Sequence, residues 1–153
     1  MGLSSMVTQV LQQSLFVAHD TPATHGAGAY NAFAITGGPV WIKAILEYND
    51  TAIAGATTTA ITVGAVAMQV GALSVLGAIN TMVVSPLDAA VAKIAPALAV
   101  QMPSLLGFAT NVGVVASPGV NITVTFAGVA MGAAENVSYY VVYQKLTPQS
   151  LIA

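Results

Sequence analysis

Residues Ala32 to Tyr48 read Ala-Phe-Ala-Ile-Thr-Gly-Gly-Pro-Val-Trp-Ile-Lys-Ala-Ile-Leu-Glu-Tyr, and the rest of the chain is organised around this stretch. Bulky and small residues alternate around Gly37-Gly38-Pro39 with the period of two that is typical of a β-strand. Glycine admits positive φ and proline removes a donor from the strand ladder, so the tripeptide indicates a bulge or a sharp corner. We therefore predict strand structure over 33–48, either as one strand that bends or as two strands on different sheets.

Beyond the corner, strict alternation predicts which side chains share a face of the strand. One face carries Val40, Ile42, Ala44, Leu46 and Tyr48, and the other carries Trp41, Lys43, Ile45 and Glu47. Lys43 and Glu47 then lie on the same face, where an ion pair at the rim of the sheet is the expected arrangement.

Four further segments are rich in β-branched and aromatic residues, and they predict strands at 57–63, 110–116, 121–127 and 137–146. Two of them alternate cleanly. In 57–63 one face carries Thr57, Thr59, Ile61 and Val63, and in 121–127 one face carries Ile122, Val124 and Phe126. Because turn signals recur between the segments, the sequence predicts an all-β protein. We expect a small β-sandwich or jelly-roll-like domain over 32–153, preceded by an N-terminal arm over 1–31.

Other parts of the chain leave alternatives open. Residues 7–18 are compatible with a strand or a short helix, and their second half favours a strand. Residues 19–30 predict a loop, and 78–84 predict another strand. Ser85-Pro86-Leu87-Asp88 has the pattern of a helix start, with a plain turn as the alternative. Residues 64–77 give no clear assignment.

The composition is apolar and nearly without charge. Of 153 residues, 56% are hydrophobic and 5% are charged, and the formal net charge is −2. An ordinary soluble domain carries about 25% charged residues, so either a bilayer or other protein should cover much of this surface. The chain has no basic surface for nucleic acid and no cysteine for disulfides or thiolate metal sites.

Two long uncharged runs, from Asp50 to Asp88 and from Lys93 to Glu135, raise the question of membrane insertion. The first run contains several glycines and threonines, and its hydropathy comes largely from alanine and valine. No basic cluster flanks it to set an orientation in a membrane. We therefore favour coverage by protein and keep a small membrane protein as an alternative.

Few residues offer chemistry. His19, Asp20 and His25 carry the donor atoms of a divalent-metal site, but a solvated polar loop is the interpretation we adopt. The five acidic residues are scattered and form no close pair for acid–base catalysis. The sequence has neither a nucleophile elbow nor a phosphate-binding loop. We predict a protein that is not an enzyme and has no metal or cofactor.

Two motifs resemble a known family. They are Phe33-Ala-Ile-Thr-Gly-Gly-Pro-Val-Trp-Ile and the closing Val137-Ser-Tyr-Tyr-Val-Val-Tyr-Gln-Lys-Leu-Thr-Pro, and they are similar to the central and last strands of tailed-bacteriophage capsid cement or decoration proteins. The resemblance implies an all-β, commonly trimeric protein on the capsid exterior of the virion. It also implies that the partner is the major capsid protein, whose shell the bound protein stabilises. A phage tail or fibre attachment module is the runner-up.

The scarcity of charge also predicts extensive apolar interfaces, because large exposed apolar patches usually mark binding surfaces. We expect a homotrimer whose subunit contact includes or adjoins residues of the central and last strands. The candidate interface residues are Trp41, Ile42, Tyr139, Val141 and Tyr143.

Overall fold

The computed structural model describes residues 15–55, 57–68, 73–74, 79, 82–85 and 113–153. Within these ranges the chain forms strands and no helix, and the strands make two antiparallel sheets. One apolar core takes side chains from both sheets. The predicted all-β sandwich is confirmed.

The strands are numbered in chain order. They are β1 (Leu15–His19), β2 (Gly28–Thr36), β3 (Val40–Asn49), β4 (Thr57–Val63), β5 (Val66–Ala67), β6 (Leu73–Ser74), β7 (Met82–Ser85), β8 (Val114–Ala116), β9 (Asn121–Gly128), β10 (Val137–Lys145) and β11 (Leu151–Ile152).

The first sheet has the order β1-β10-β3, and β8 and β7 both pair with the other side of β3, β8 near its start and β7 near its end. The second sheet has the order β11-β2-β9-β4, and β5 and β6 both pair with β4. Since β2 and β3 lie in different sheets, the chain crosses from one sheet to the other at Gly37-Gly38-Pro39. Of the two predicted alternatives, the structure adopts two strands on different sheets.

The crossing requires glycine. Gly37 has a φ of +70°, and a Cβ atom there would collide with the backbone carbonyl of Gln149. A Cβ atom at Gly38 would collide with the hydroxyl of Thr147. The Ser150 hydroxyl donates a hydrogen bond to the Pro39 carbonyl at 2.6 Å, so the turn before β11 closes directly over the corner.

A β-bulge interrupts the alternation of β3. Tyr143 of β10 pairs with Ile42, whereas its neighbour Val142 pairs with Ala44. Lys43 is therefore an extra residue between two paired positions. One extra residue moves every following side chain to the opposite face of the sheet.

The bulge overturns the predicted faces beyond this point. Ile45 and Glu47 are buried, while Leu46 and Tyr48 are only half-buried. Glu47 therefore points into the core, and Lys43 lies on the outer side of the sheet. The prediction that these two charged residues share a face was wrong because the alternation was assumed to be unbroken.

Three predicted strands are confirmed almost to the residue: β4 for 57–63, β9 for 121–127 and β10 for 137–146. The predicted inner faces of β4 and β9 are buried along their whole length. Of the strand predicted for 110–116, the structure shows 114–116 as strand. Residues 110–112 lie outside the described part of the chain.

The first third of the chain contributes strands to both sheets. β1 forms in the second half of 7–18, as favoured, and it pairs with β10. β2 begins at Gly28, so the predicted boundary between 31 and 32 falls inside a strand, and the predicted loop ends earlier than expected. β7 lies at the end of the strand predicted for 78–84. Of the predicted helix start at 85–88, Ser85 ends β7 and the rest lies outside the described residues.

Candidate functional site

A polar cluster joins the two sheets inside the core. Glu47 on β3 is only 1% exposed, and its Oε2 accepts hydrogen bonds from the Tyr139 hydroxyl on β10 and the Thr59 hydroxyl on β4, both at 2.8 Å. A buried carboxylate costs several kcal/mol unless donors compensate for its lost hydration. Burial and the neighbouring Glu47 carboxylate raise the pKa of Tyr139 well above its usual value, so its hydroxyl stays a donor at neutral pH.

A second carboxylate fastens the connection between β1 and β2 to β10. Asp20 accepts a hydrogen bond from the Tyr139 backbone amide at 2.6 Å and another from the Tyr30 hydroxyl at 3.0 Å. Burial raises the pKa of Asp20, although both hydrogen bonds act in the opposite direction. Burial and the adjacent Asp20 likewise raise the pKa of Tyr30.

The two histidines stack on aromatic side chains of different strands. His25 lies over Tyr30 and Phe126, with ring centroids 4.2 and 4.6 Å apart and ring planes within 20° of parallel. His19 stacks on Tyr140 on the outer side of the first sheet, at 4.2 Å. Burial lowers the pKa of His25, and the nearby Asp20 only partly offsets this.

These positions bear on the metal-site alternative for His19, Asp20 and His25. Among the described residues, no three His, Asp or Glu side chains are arranged so that they could hold an ion. Each of the three instead contacts an aromatic ring or donates or accepts a hydrogen bond within the fold. In this arrangement His19, the last residue of β1, and Asp20 and His25, from the connection that follows it, join strands to one another.

Four of the five candidate interface residues lie in the core. Ile42, Tyr139 and Val141 are fully buried, and Tyr143 is 3% exposed. Trp41 alone is half-buried and faces outward, with the Lys43 ammonium 2.8 Å from the centre of its ring. The four buried residues therefore stabilise the sandwich, and a second protein can reach only their outward-facing neighbours.

The outer side of the first sheet presents apolar side chains in cross-strand rows. The register aligns Leu15 of β1 with Gln144 of β10, then with Trp41 of β3 and Val115 of β8. The next row pairs Val17 with Val142. We call the apolar and aromatic outward side chains of this sheet the outer apolar face: Leu15, Val17, Trp41, Leu46, Tyr48, Val115, Tyr140 and Val142. The polar residues His19, Lys43 and Gln144 lie on the same side of the sheet.

The face is accessible at both of its margins. Leu15 and Val17 on β1 are 59% and 62% exposed, and Val115 on β8 is 64% exposed. β1 is an edge strand, since within the described residues it pairs only with β10. Edge strands usually carry lysine, proline or a bulge that blocks further pairing, and β1, Leu-Phe-Val-Ala-His, has none of these.

Sequence reasoning missed the residues at the margins of this face. Leu15 and Val17 alternate with Phe16 in a segment that was left open between strand and helix. Val115 belongs to a three-residue strand too short to show a period. The signal that could have found them is alternation: in a strand over this segment, Leu15 and Val17 lie on a common side.

Comparison with known proteins gives no relatives: no protein-family model, curated protein or solved structure matches this chain. In the part of the chain that the structure describes, no helix is long and apolar enough to cross a membrane. The features of this chain that bear on its function are the outer apolar face, the composition and the two sequence motifs.

Proposed function

We propose that this chain is a non-enzymatic structural protein of a virion, a capsid cement or decoration protein that binds the outside of the major capsid shell and stabilises it. The observation that carries the proposal is the outer apolar face, a sheet surface with exposed aliphatic side chains at both margins. The scarcity of charge supports the proposal, because charged side chains can cover little of the protein surface. The capsid as partner is supported by the resemblance of the central and last strands.

The bound protein would stabilise the shell mechanically, by adding contacts that hold neighbouring capsid subunits together. A sheet held by a packed core presents a rigid surface, so little conformational entropy is lost when a partner covers it. Apolar burial contributes roughly 25 cal/mol per Å² before the costs of association are subtracted. A stable interface buries about 800 Å² on each partner. A shell under internal pressure must break these added contacts before neighbouring capsid subunits separate.

The proposed assembly is a homotrimer, as the family resemblance implies. Ile42 and Val141 are buried within the subunit, so neither can make the subunit contact, which would use a surface other than the outer apolar face that binds the shell. Placing three copies at one capsid site multiplies the weak apolar contacts of each copy.

A rebinding experiment tests the role of the outer apolar face. Particles stripped of this protein are incubated with wild-type chain, with Val17→Thr, or with Val66→Thr as the matched control. The two valines are 62% and 55% exposed, on the first and second sheet respectively, and each change replaces a methyl group by a hydroxyl at nearly constant volume. The proposal predicts reduced binding for Val17→Thr alone. Equal binding of all three proteins would contradict it.

A further inference from the structure

The segment from Asp20 to Ala27, here called the strap, crosses from the end of β1 to the start of β2. It is fastened to β10 by backbone hydrogen bonds: the Asp20 amide donates to the Tyr139 carbonyl, and Ala23 and Val137 exchange a pair, all at 3.1 Å. On the other sheet it is held by the imidazole of His25, which lies over Tyr30 of β2.

The aromatic rings beneath His25 reach into the core. Tyr30 and Phe126 each lie 6.4 Å from the ring of Tyr139, which is itself fully buried. His25 therefore closes one edge of the sandwich with a flat, neutral ring. Displacement of the strap would expose this aromatic group.

The surroundings of His25 do not suit a charged imidazole. Its Nε2 atom is buried and has no hydrogen-bond partner. Of the titratable or charged groups around it, Asp20 on the strap acts on the imidazole and Tyr30 on β2 stacks with it, while β9 presents the uncharged ring of Phe126. Tyr139 and Glu47 of the first sheet interact with Tyr30. Asp20 attracts a charged imidazole, but the loss of hydration is the larger effect.

Two glycines that follow the histidine form a hinge at the end of the strap. Gly26 and Gly28 flank Ala27, and a Cβ atom at either glycine would meet nothing within 4 Å. Gly28 has a φ of +132°, which residues with a side chain rarely adopt. The backbone at the end of the strap is thus loosely surrounded at both glycines, and glycine itself admits a wide range of φ.

We propose that the strap is an acid-released switch whose trigger is protonation of His25. At neutral pH the uncharged ring stacks on Tyr30 and Phe126 and holds the strap closed. On acidification the imidazole gains a proton at a site with no acceptor, and the strap separates both from Tyr30 and Phe126 and from Val137 of β10 to hydrate it. The consequence is exposure of an aromatic surface only in acid, a property that does not depend on the capsid role.

The sign of the effect follows from the direction of the pKa change. A folded-state pKa below the unfolded value of about 6.5 means that the open strap binds protons more readily. The stabilisation of the closed strap is complete above that value and falls as the pH drops below it. Asp20 acts in the opposite direction at lower pH, because its raised pKa favours the protonated folded form. The opening window therefore lies below about pH 6.5 and above the range in which Asp20 titrates.

The test is the hydrogen-exchange protection of the Ala23 amide, which the closed strap keeps hydrogen-bonded. Protection factors, corrected for intrinsic exchange, are measured between about pH 7.5 and 5. We expect a roughly threefold or greater loss of protection in the wild type as the pH falls. His25→Phe keeps an aromatic ring that cannot titrate, so its protection should be independent of pH. His19→Phe, the control on Tyr140, should behave as the wild type does.

Constant protection in the wild type, or a pH dependence that survives in His25→Phe, would overturn the proposal. A second measurement does not depend on the variants. The His25 imidazole resonances of the wild-type protein are titrated by NMR, and their midpoint should lie below about pH 6.5, because burial lowers the pKa of His25. If His25 titrates at or above about pH 6.5, the trigger assigned here is wrong.

Discussion

Thr59 on the second sheet donates its hydroxyl to Glu47 on the first sheet at 2.8 Å, and this hydrogen bond crosses the middle of the sandwich. The carboxylate reaches this position only because the bulge at Lys43 reverses which side chains in the second half of β3 face the core. A charged residue that the sequence places on the rim of a sheet thus becomes a link between the two sheets.

Replacing Thr59 by valine removes one donor to the buried Glu47 carboxylate while nearly preserving volume. We expect the free energy of unfolding to fall by about 1–3 kcal/mol, because a buried acceptor loses a charge-assisted hydrogen bond. Thr62→Val is the matched control, since Thr62 lies on the same strand and is half-buried on its outer side; it should change stability by less than about 0.5 kcal/mol. Urea unfolding of both variants checks this, and equal effects would contradict the role given to Thr59.

The corner at Gly37 gives a second prediction. Gly37→Ala places a Cβ atom against the Gln149 carbonyl at a φ of +70°. We expect a loss of about 1–3 kcal/mol in unfolding free energy or failure to fold. Gly26→Ala is the control because nothing lies within 4 Å of its Cβ position. Thermal unfolding measures both, and an unchanged Tm for Gly37→Ala would refute the steric account of the corner.

Glu135 gives a pH-dependent prediction. Its carboxylate accepts hydrogen bonds from the Ala54 and Gly132 amides, both at 2.7 Å, and these bonds lower the pKa of Glu135. Since the folded pKa lies below the unfolded value, the carboxylate stabilises the fold above that unfolded value and loses this effect as the pH falls through the folded pKa.

Glu135→Gln should therefore be less stable than the wild type at neutral pH, with the difference vanishing in acid. Both proteins then carry a neutral side chain at this position, which makes the acidic end of the series an internal control. Urea unfolding between about pH 3 and 7 checks this. A difference that persists unchanged in acid would show that the side chain acts other than through its charge.

The fold was largely predictable because inward-facing residues alternate cleanly along β4 and β9. Ile122, Val124 and Phe126 could face only one side of a strand, and the structure buries all three. The bulge in β3 was not predictable, because it is defined by the pairing of Ile42 and Ala44 with β10 and not by local composition. The burial of Glu47 in the core could not be predicted without knowledge of this bulge.

The interface residues were harder to predict for a different reason. Hydrophobicity marked Val141 and Tyr143 as important, but a core position and a contact position have the same apolar signature. Only the register of β10 against β1 and β3 separates inward from outward residues. Val17, which that register places outward, is therefore a better interface candidate than Val141.

The proposed attachment to a capsid shell should resist salt. The chain has three basic and five acidic residues, so few ion pairs are available to an interface. Raising NaCl from about 0.1 to 1 M shortens the Debye length to about 3 Å and screens exposed charge pairs without weakening apolar contacts. We expect the amount of this protein on purified particles to survive the salt wash and to fall in urea, which solvates apolar and peptide groups. Removal by salt alone would indicate an electrostatic interface.

The most direct test of the proposed function is a density map of the virion that this protein is proposed to decorate. The account predicts copies on the order of hundreds, arranged with the symmetry of the shell. They should lie on its outer surface, with Leu15, Val17 and Val115 facing the major capsid protein. A few copies confined to the tail, or a location with the outer apolar face directed to solvent, would contradict the account.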